Sequence, residues 1–331
     1  MKAKAITKML WLQGSGCGGC TMAVLERGSS GWFDELRRFG ITLLWHPVLS
    51  AESAAEAVAV LEAVRDGTLA LDLLVVEGAV ARGPDNSGRF HRFAGATMLS
   101  WIEALAPRAR AVVALGSCAA YGGVPAAGSN PTDVVGLQFE GSARGGALGA
   151  DFRTKSGHPV VNIAGCAPHP GWIMETLLAL IGGDLGSDDL DAYGRPKFIA
   201  DHLAHHGCAR NEFYEFKASA ETLSQRGCMM EHLGCKATQA VGDCNQRSWN
   251  GGGSCIKGGF ACIACTSPGF ENAQNFLTTL KLGGIPVGLP TDMPKAWFVA
   301  LAALSKSATP KRVRINATAD HVVVPPTRRA P

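Results

Sequence analysis

The sequence predicts an α/β fold, with an open parallel sheet in the first half of the chain and an irregular, cysteine-rich region after it. Three observations carry that expectation. Five short apolar runs in the first half are followed by turn residues and separated by stretches of helical periodicity. Helix-sized spacers imply parallel pairing, since parallel strands need a crossover connection. After about residue 195 the chain changes character, becoming rich in Cys, Gly, Asn and His and poor in periodicity.

The strands are continuous apolar runs, as strands buried on both faces require. Met9–Gln13 opens the sheet, and the helical pattern Met22–Phe39 leads to Ile41–Trp45. Ala51–Arg65 leads to Leu71–Val76, and Phe90–Leu105 to Ala111–Leu115. Pro159–Ile163 is the fifth strand, ahead of a helical pattern over Gly171–Ile181. In the second half only a helix near Met293–Ser305 and a strand-like Val322–Val324 stand out, before a Pro/Arg tail. The expected domains are residues 1–190, 191–305 and a tail over 306–331.

Composition excludes several classes of function. At 331 residues the chain can bury a substantial core, and with 47% hydrophobic and 18% charged residues it is not a disordered chain. Its 31 basic and 28 acidic residues balance to +3 with no Lys/Arg block, which gives no support for nucleic-acid binding. Apolar runs such as Ala296–Leu304 fall short of the roughly 20 residues that cross a bilayer. Met1–Leu12 carries no separate signal stretch, so the expected location is cytoplasmic.

Eleven cysteines, at 17, 20, 118, 166, 208, 228, 235, 244, 255, 262 and 265, are an odd number in a chain without an export signal, a poor setting for disulfides. Two pairs are C-x-x-C, Cys17–Cys20 and Cys262–Cys265, and seven cysteines fall between Cys208 and Cys265. Such clustering points to metal, and thiolates select zinc or iron–sulfur clusters. Structural zinc gathers its ligands locally. Here the plausible companions of Cys17 and Cys20 are the distant Cys118 and Cys166. That spacing favours iron–sulfur, with a structural zinc or interaction protein as the alternative from a different class.

The architecture places those four thiols together. Cys17 and Cys20 follow strand one, Cys118 follows strand four and Cys166 follows strand five. In open α/β sheets, ligands bind beyond the carboxyl ends of the strands. Adjacent glycines let the backbone approach a cluster closely. The first loop lacks the Lys-Ser/Thr ending of a phosphate-binding P-loop. The second half can scarcely build a hydrophobic core unaided, so its clusters are expected to serve as one.

These residues resemble the small subunit of [NiFe] hydrogenases over roughly residues 9–305. The resemblance rests on Trp11–Cys20 (WLQGSGCGGC), Gly116-Ser-Cys118 with Gly122-Gly123, Gly165–Pro170 (GCAPHP) and His205-His-Gly-Cys208. It implies a flavodoxin-like N-terminal domain and an iron–sulfur-stabilised C-terminal domain. It implies a proximal [4Fe–4S] cluster on Cys17, Cys20, Cys118 and Cys166, and a distal one on His205, Cys208, Cys228 and Cys235. Position alone leaves His202 and His206 as competitors; the family pattern selects His205. A medial cluster is implied on Cys244, Cys255, Cys262 and Cys265. It is [4Fe–4S] because Cys255 stands where many members have proline, and [3Fe–4S] if Cys255 does not ligate. Eleven cysteines and one histidine then give twelve ligands, enough for three four-ligand clusters.

The resemblance further implies an H2:acceptor oxidoreductase whose hydrogen-splitting site lies on a large partner subunit, so no catalytic residue is expected in this chain. Many relatives carry Glu before the first proximal cysteine, where this chain has Gly16. The extra cysteines of oxygen-tolerant relatives are Gly19 and Gly123 here. The six-residue gap between Cys228 and Cys235, the absent twin-arginine signal and membrane anchor, and Thr309–Val313 look most like the cytoplasmic, hydrogen-sensing (regulatory) branch. A cytosolic uptake hydrogenase is the alternative. An obligate heterodimer with the large subunit, a sensor histidine kinase partner and a dimer of heterodimers are the implied assemblies. Glu77 is expected either to orient a loop or face the partner, or to sit at a helix start. Asp201 and Glu231 are expected as surface charges, and Trp11, Trp45, Trp101 and Trp172 as core or interface filling.

Overall fold

A computed structural model of the chain describes residues 6–26, 31–249, 251–272, 276–291 and 294–326. The chain forms two compact units, Met1–Ile199 with Cys265–Asn272, and Ala200–Ala264 with Ala273–Pro331.

The first unit is built on five strands: β1 (Thr7–Gln13), β2 (Ile41–Trp45), β3 (Leu71–Glu77), β4 (Ala109–Leu115) and β5 (Val161–Ile163). Their order is β2-β1-β3-β4-β5 and every pairing is parallel. This is the flavodoxin-like order, whose topological switch point lies between β1 and β3. Register brings Gln13 opposite Glu77, and Glu77 and Ile163 opposite Leu115. Four strands therefore end on one line, and whatever follows them shares that edge. Leu10, Leu12, Leu74, Val112 and Leu115 are fully buried, as a sheet covered on both faces demands.

Helices α1 (Gly19–Leu25), α2 (Trp32–Phe39), α3 (Ala54–Asp66), α4 (Met98–Leu105), α5 (Gly116–Tyr121) and α6 (Pro170–Gly182) connect and cover the strands. The start of α3 is fixed by a capping box: the Ser53 hydroxyl accepts the Glu56 N–H and the Glu56 carboxylate accepts the Ser53 N–H. Its inner face buries Ala57, Leu61 and Val64, and burying a leucine contributes about 1.5–3 kcal/mol.

Three expectations are corrected. The pattern Met22–Phe39 is two helices, α1 and α2, with residues 27–30 outside the described residues. The pattern Phe90–Leu105 begins as an antiparallel ribbon, Arg92–Phe93 with Ala96–Thr97, because Ala94 and Gly95 both take positive φ and make a two-residue hairpin turn; only α4 is helical. Cys118 lies not in a loop but in α5, which starts directly at the end of β4.

The second unit has little regular structure: α8 (Asn211–Glu215), α9 (Lys295–Ser307) and α10 (Lys311–Ala317), following the short α7 (Lys197–Ala200). Helix α9 answers to the helix expected near Met293–Ser305, Met293 itself lying outside the described residues. The central core is mostly alanine, with Met229, Leu233 and Ile256, and Cys208, Cys235, Cys244 and Cys262 pack into it. Residues 306–331, expected as a tail, contain α10, whose Val313 and Ala317 are buried with Phe213 and Ala218. Val322–Val324 is not a strand. The Asn316 carboxamide takes the place of a pairing partner, accepting the N–H of Val323 and Val324 (both 2.9 Å) and donating to Val324 O (2.7 Å). Among the described residues no helix is long and apolar enough to cross a membrane.

Candidate iron–sulfur sites

The first site forms at the switch point. The chain leaving β1 is held to the chain leaving β3 by Gly14 N–H to Glu77 O (2.6 Å) and by the reciprocal Ser15–Ala79 bridge. A Cβ at Gly14 would stand 2.4 Å from Ala79 O, so only glycine permits that approach. Gly14, Gly16 and Gly19 also spell the G-x-G-x-x-G of dinucleotide sites. Here the loop carries Cys17, and α1 follows with Cys20 in its first turn.

Glu77, the last residue of β3, fixes where α1 begins. Its Oε1 accepts the backbone N–H of Cys20 (3.0 Å) and Thr21 (3.2 Å); its Oε2 accepts the Thr21 hydroxyl (2.5 Å) and the Trp11 indole N–H (3.2 Å). It is 2% exposed. A carboxylate there satisfies amides that a helix start leaves unpaired and complements the helix dipole. Of the alternatives held open for Glu77, the structure realises the helix start, supplied from a neighbouring strand. Behind it stands His46, whose Nδ1 accepts the N–H of Val48 (3.0 Å) and Leu49 (3.2 Å) and whose Nε2 contacts the Thr21 hydroxyl (3.2 Å). With Nδ1 accepting twice, the ring proton sits on Nε2. Burial drives the His46 pKa down to about 4, so the ring is neutral.

The other two loops complete the site. Gly116, at φ +85°, turns the chain from β4 into α5, and a Cβ there would lie 2.5 Å from Cys20 Sγ. Ser117 ties the loops together. Its N–H reaches Gly165 O (3.0 Å), its hydroxyl accepts the Gly165 N–H (2.9 Å) and donates to Cys265 O. Cys166 follows Gly165. The four thiols sense one another: burial first, then Glu77, Cys118, Cys17 and Cys166, push the Cys20 thiol far up. Burial, then Cys166 and Cys17, push Cys118 up to about 12. Four thiols following three strands thus converge, Cys17 and Cys166 at the exposed side and Cys20 and Cys118 where burial makes a thiolate costly unless a cation compensates it, which suits a thiolate-ligated metal cluster.

In the second unit His205, Cys208, Cys228 and Cys235 line one small cavity, of about 20 Å³, closed by Tyr214, Met230 and Ile256 among others. A turn closed by Cys208 N–H to His205 O (3.0 Å) sets these two on the same side. His202 and His206 do not line the cavity, and His206 Nδ1 accepts the Leu203 N–H (3.4 Å) instead. Burial leads in raising the thiols of Cys208 and Cys235, and pushes Cys228 up to about 12. One imidazole and three thiols lining one cavity are a donor set that suits an iron–sulfur cluster.

For the remaining set, burial first, then Cys255 and Asp243, push the Cys244 thiol up to about 11. Cys262 Sγ accepts the Ala264 N–H (3.4 Å). Cys255 is exposed, and Cys265 begins the segment that belongs to the first unit. Among the described residues no three His, Cys, Asp or Glu side chains converge tightly enough to hold a single metal ion.

Two other expectations resolve. Trp11, Trp45, Trp101 and Trp172 are all buried core. Glu231 is not a plain surface charge: it accepts from Ser219 Oγ (2.6 Å) and Lys306 Nζ (2.7 Å), and although burial works to raise its pKa, those bonds hold it below the usual range. Thr21, His46 and Ser117 escaped sequence reasoning because no motif marks a residue that supports a ligand loop from another element.

A flavodoxin-like sheet with convergent thiols at its switch point defines a redox-active α/β protein. Residues 17–180 match the family described as NADH ubiquinone oxidoreductase, 20 Kd subunit, and residues 201–278 match the family of the C-terminal region of NiFe/NiFeSe hydrogenase small subunits. The chain is 36% identical over 292 residues to the F420 non-reducing hydrogenase II small subunit of Methanosarcina mazei, covering 82% of this chain and 75% of that one. It is 31% identical over 285 residues to the periplasmic [NiFeSe] hydrogenase small subunit of Desulfomicrobium baculatum, covering 81% and 85%. Among solved structures, the actinobacterial-type NiFe-hydrogenase from Ralstonia eutropha H16 superposes with a TM-score of 0.74 at 28% identity, over 93% of this chain and 92% of that one. The chain belongs to the small-subunit family of [NiFe] hydrogenases, electron-transfer subunits that pair with a large subunit on which hydrogen is split.

Proposed function

We propose that this chain relays electrons from H2 oxidation on its large subunit through three [4Fe–4S] clusters, as the small subunit of a cytoplasmic, hydrogen-sensing hydrogenase. The observation that carries the relay is the convergence of Cys17, Cys20, Cys118 and Cys166 at one sheet edge, together with the His205–Cys208–Cys228–Cys235 cavity. Bound clusters supply one-electron chemistry; the protein holds, shields and tunes them. Cys17, Cys20, Cys118 and Cys166 hold the proximal cluster, and the exposed side of that set, Cys17 and Cys166, is the face left to the large subunit. His205 with Cys208, Cys228 and Cys235 holds the distal cluster. Its neutral imidazole removes one negative charge and so favours the reduced state. Cys244, Cys255, Cys262 and Cys265 hold the medial cluster. In this reading the domains are residues 1–190 and 191–305, with 306–331 appended, and the chain works in the cytoplasm with a histidine kinase, as a dimer of heterodimers.

Three glycines stand where other relatives carry larger side chains. A Cβ at Gly16 would meet Gly78 Cα at 3.2 Å, one at Gly19 would meet Cys17 Sγ at 3.1 Å, and one at Gly123 would meet Cys118 N at 2.9 Å. The glutamate of many relatives, and the extra cysteines of oxygen-tolerant ones, have no ready space here.

Anaerobic co-purification with the large subunit tests the relay. The expected result is nickel with about twelve irons per heterodimer, from four irons per cubane, acid-labile sulfide, and cluster EPR signals that respond to hydrogen. Zinc without sulfide overturns it. For the branch, slow hydrogen oxidation and altered hydrogenase-gene expression on deletion support sensing. Rapid turnover and lost growth yield support a cytosolic uptake enzyme.

A further inference from the structure

A second cavity, of about 160 Å³, lies in the same unit, lined by Tyr214, Lys217, Cys228, Met230, Phe298 and Lys306 among others. Three of these residues, Tyr214, Cys228 and Met230, also line the His205 cavity. The wall between the two spaces is therefore a single layer of side chains, one of them a cluster thiol and another, Tyr214, ring-packed on His205 at 5.4 Å. Its walls are the apolar and aromatic surface that small-molecule sites use.

Its polar equipment is lopsided. The Glu231 carboxylate is already engaged by Ser219 and Lys306. Lys217 has only aromatic faces: its ammonium lies 3.9 Å from the Tyr214 ring centroid and 4.9 Å from that of Phe298. Glu215 and Glu231 act on it only through space, from beyond hydrogen-bond contact. Lys217 is also held at φ +51°, a conformation that side-chain-bearing residues seldom adopt. Burial lowers its hold on its proton, as befits an ammonium short of an anion.

We propose that this cavity is the electron-exit site of the protein and takes a planar aromatic acceptor of quinone type bearing a negative charge, which lies against the apolar wall and pairs with Lys217. The inference rests on the distal-cluster reading above. The reaction balances as H2 plus quinone to quinol: two electrons arrive singly through the Cys228 side, and the quinone takes two protons from solvent. Charge selects the occupant: Lys306 is paired with Glu231, which leaves the Lys217 ammonium to meet the anion. Proximity gives the site its function, because electron tunnelling falls steeply with distance and one side-chain layer is a short barrier.

The test uses the clustered heterodimer under hydrogen, with 1,2-naphthoquinone-4-sulfonate as the probe and cationic benzyl viologen as the reference acceptor. Lys217→Asn removes the charge with a residue that tolerates positive φ. The ratio of the KM for the sulfonated quinone to that for benzyl viologen should rise about tenfold or more, the loss expected for one charge-assisted contact. Lys217→Arg should restore most of the ratio. Ala302→Phe, which fills the cavity from α9, should abolish saturation by the quinone, and it keeps the proposal testable if Lys217→Asn fails to fold. An unchanged ratio in either folded variant overturns the site. So does a cavity variant that alters only assembly with another protein, which would mark a polypeptide as the occupant. If hydrogen reduces no cluster in the parent complex, the relay itself has failed, which EPR distinguishes from both outcomes.

Discussion

The two units reach the same kind of chemistry by opposite routes. In the first, the positions of Cys17, Cys20, Cys118 and Cys166 follow from strand order and register, and a buried frame of Glu77, Thr21, His46 and Ser117 hydrogen-bonds the segments that carry them. In the second, the thiols are themselves part of a small alanine-rich core with scarcely any strand or long helix to brace it. A sheet can place ligands before the ligand arrives. An irregular chain of this composition has to be organised by what it binds, as small metal domains are.

The largest expected effect is therefore loss of iron. Chelation of the purified heterodimer should collapse hydrogen-exchange protection across residues 204–264, while amides of β1, β3 and β4 stay protected. Structural metal is worth on the order of 10 kcal/mol in small domains, more than an alanine core supplies. Equal loss in both units would break the contrast.

Glu77 provides the converse. Glu77→Gln keeps the shape but cannot accept from four donors, leaving buried N–H or O–H groups unsatisfied at about 1–3 kcal/mol each. A loss of at least about 2 kcal/mol is expected on denaturation followed by Trp11 fluorescence, with protection in the second unit unchanged.

The same contrast explains what was legible in the sequence. The strands were readable because burial on both faces writes unbroken apolar runs, and the cysteines because their spacing is chemical. The ribbon at Arg92–Thr97 was hidden inside an apparently helical stretch, since its turn uses Ala94 as well as Gly95 at positive φ. Helix α5 was missed because it begins at a glycine with no side-chain cap. Val322–Val324 reads as a strand by composition, yet it finds no neighbouring strand, only Asn316. In the second unit periodicity had little to report, because the chain there forms few regular elements around a small alanine-rich core. For His205, residue type and position left two competing histidines; the family pattern set it apart, and of the three only His205 lines the cavity.

Acid gives a finer test. His46 is neutral in the fold with a pKa near 4, while the unfolded chain takes up a proton at about 6.5. The unfolded state therefore binds more protons between those values. The contribution of His46 is fully present above pH 6.5 and is lost as the pH falls toward 4, by up to about 3 kcal/mol at 1.36 kcal/mol per unit. Trp11, whose ring lies 4.9 Å from that of His46, should report the loss in the first unit, and His46→Asn should flatten the slope over that window.

The smallest effect is the most local. Ser53→Ala removes one half of the capping box at α3 and should cost about 1 kcal/mol. Because α3 buries Ala57, Leu61 and Val64 in the first unit's core, that loss should appear in its unfolding midpoint with the denaturant slope unchanged. Cluster content should stay the same, since the thiol loops are held by Glu77 and Ser117 at the opposite ends of their strands from the turn that Gly67 makes into β3. A variant that lost iron along with this cap would mean that the sheet does not position its thiols independently of the helices that cover it, and the division between a placed site and an induced one would fail at its simplest point.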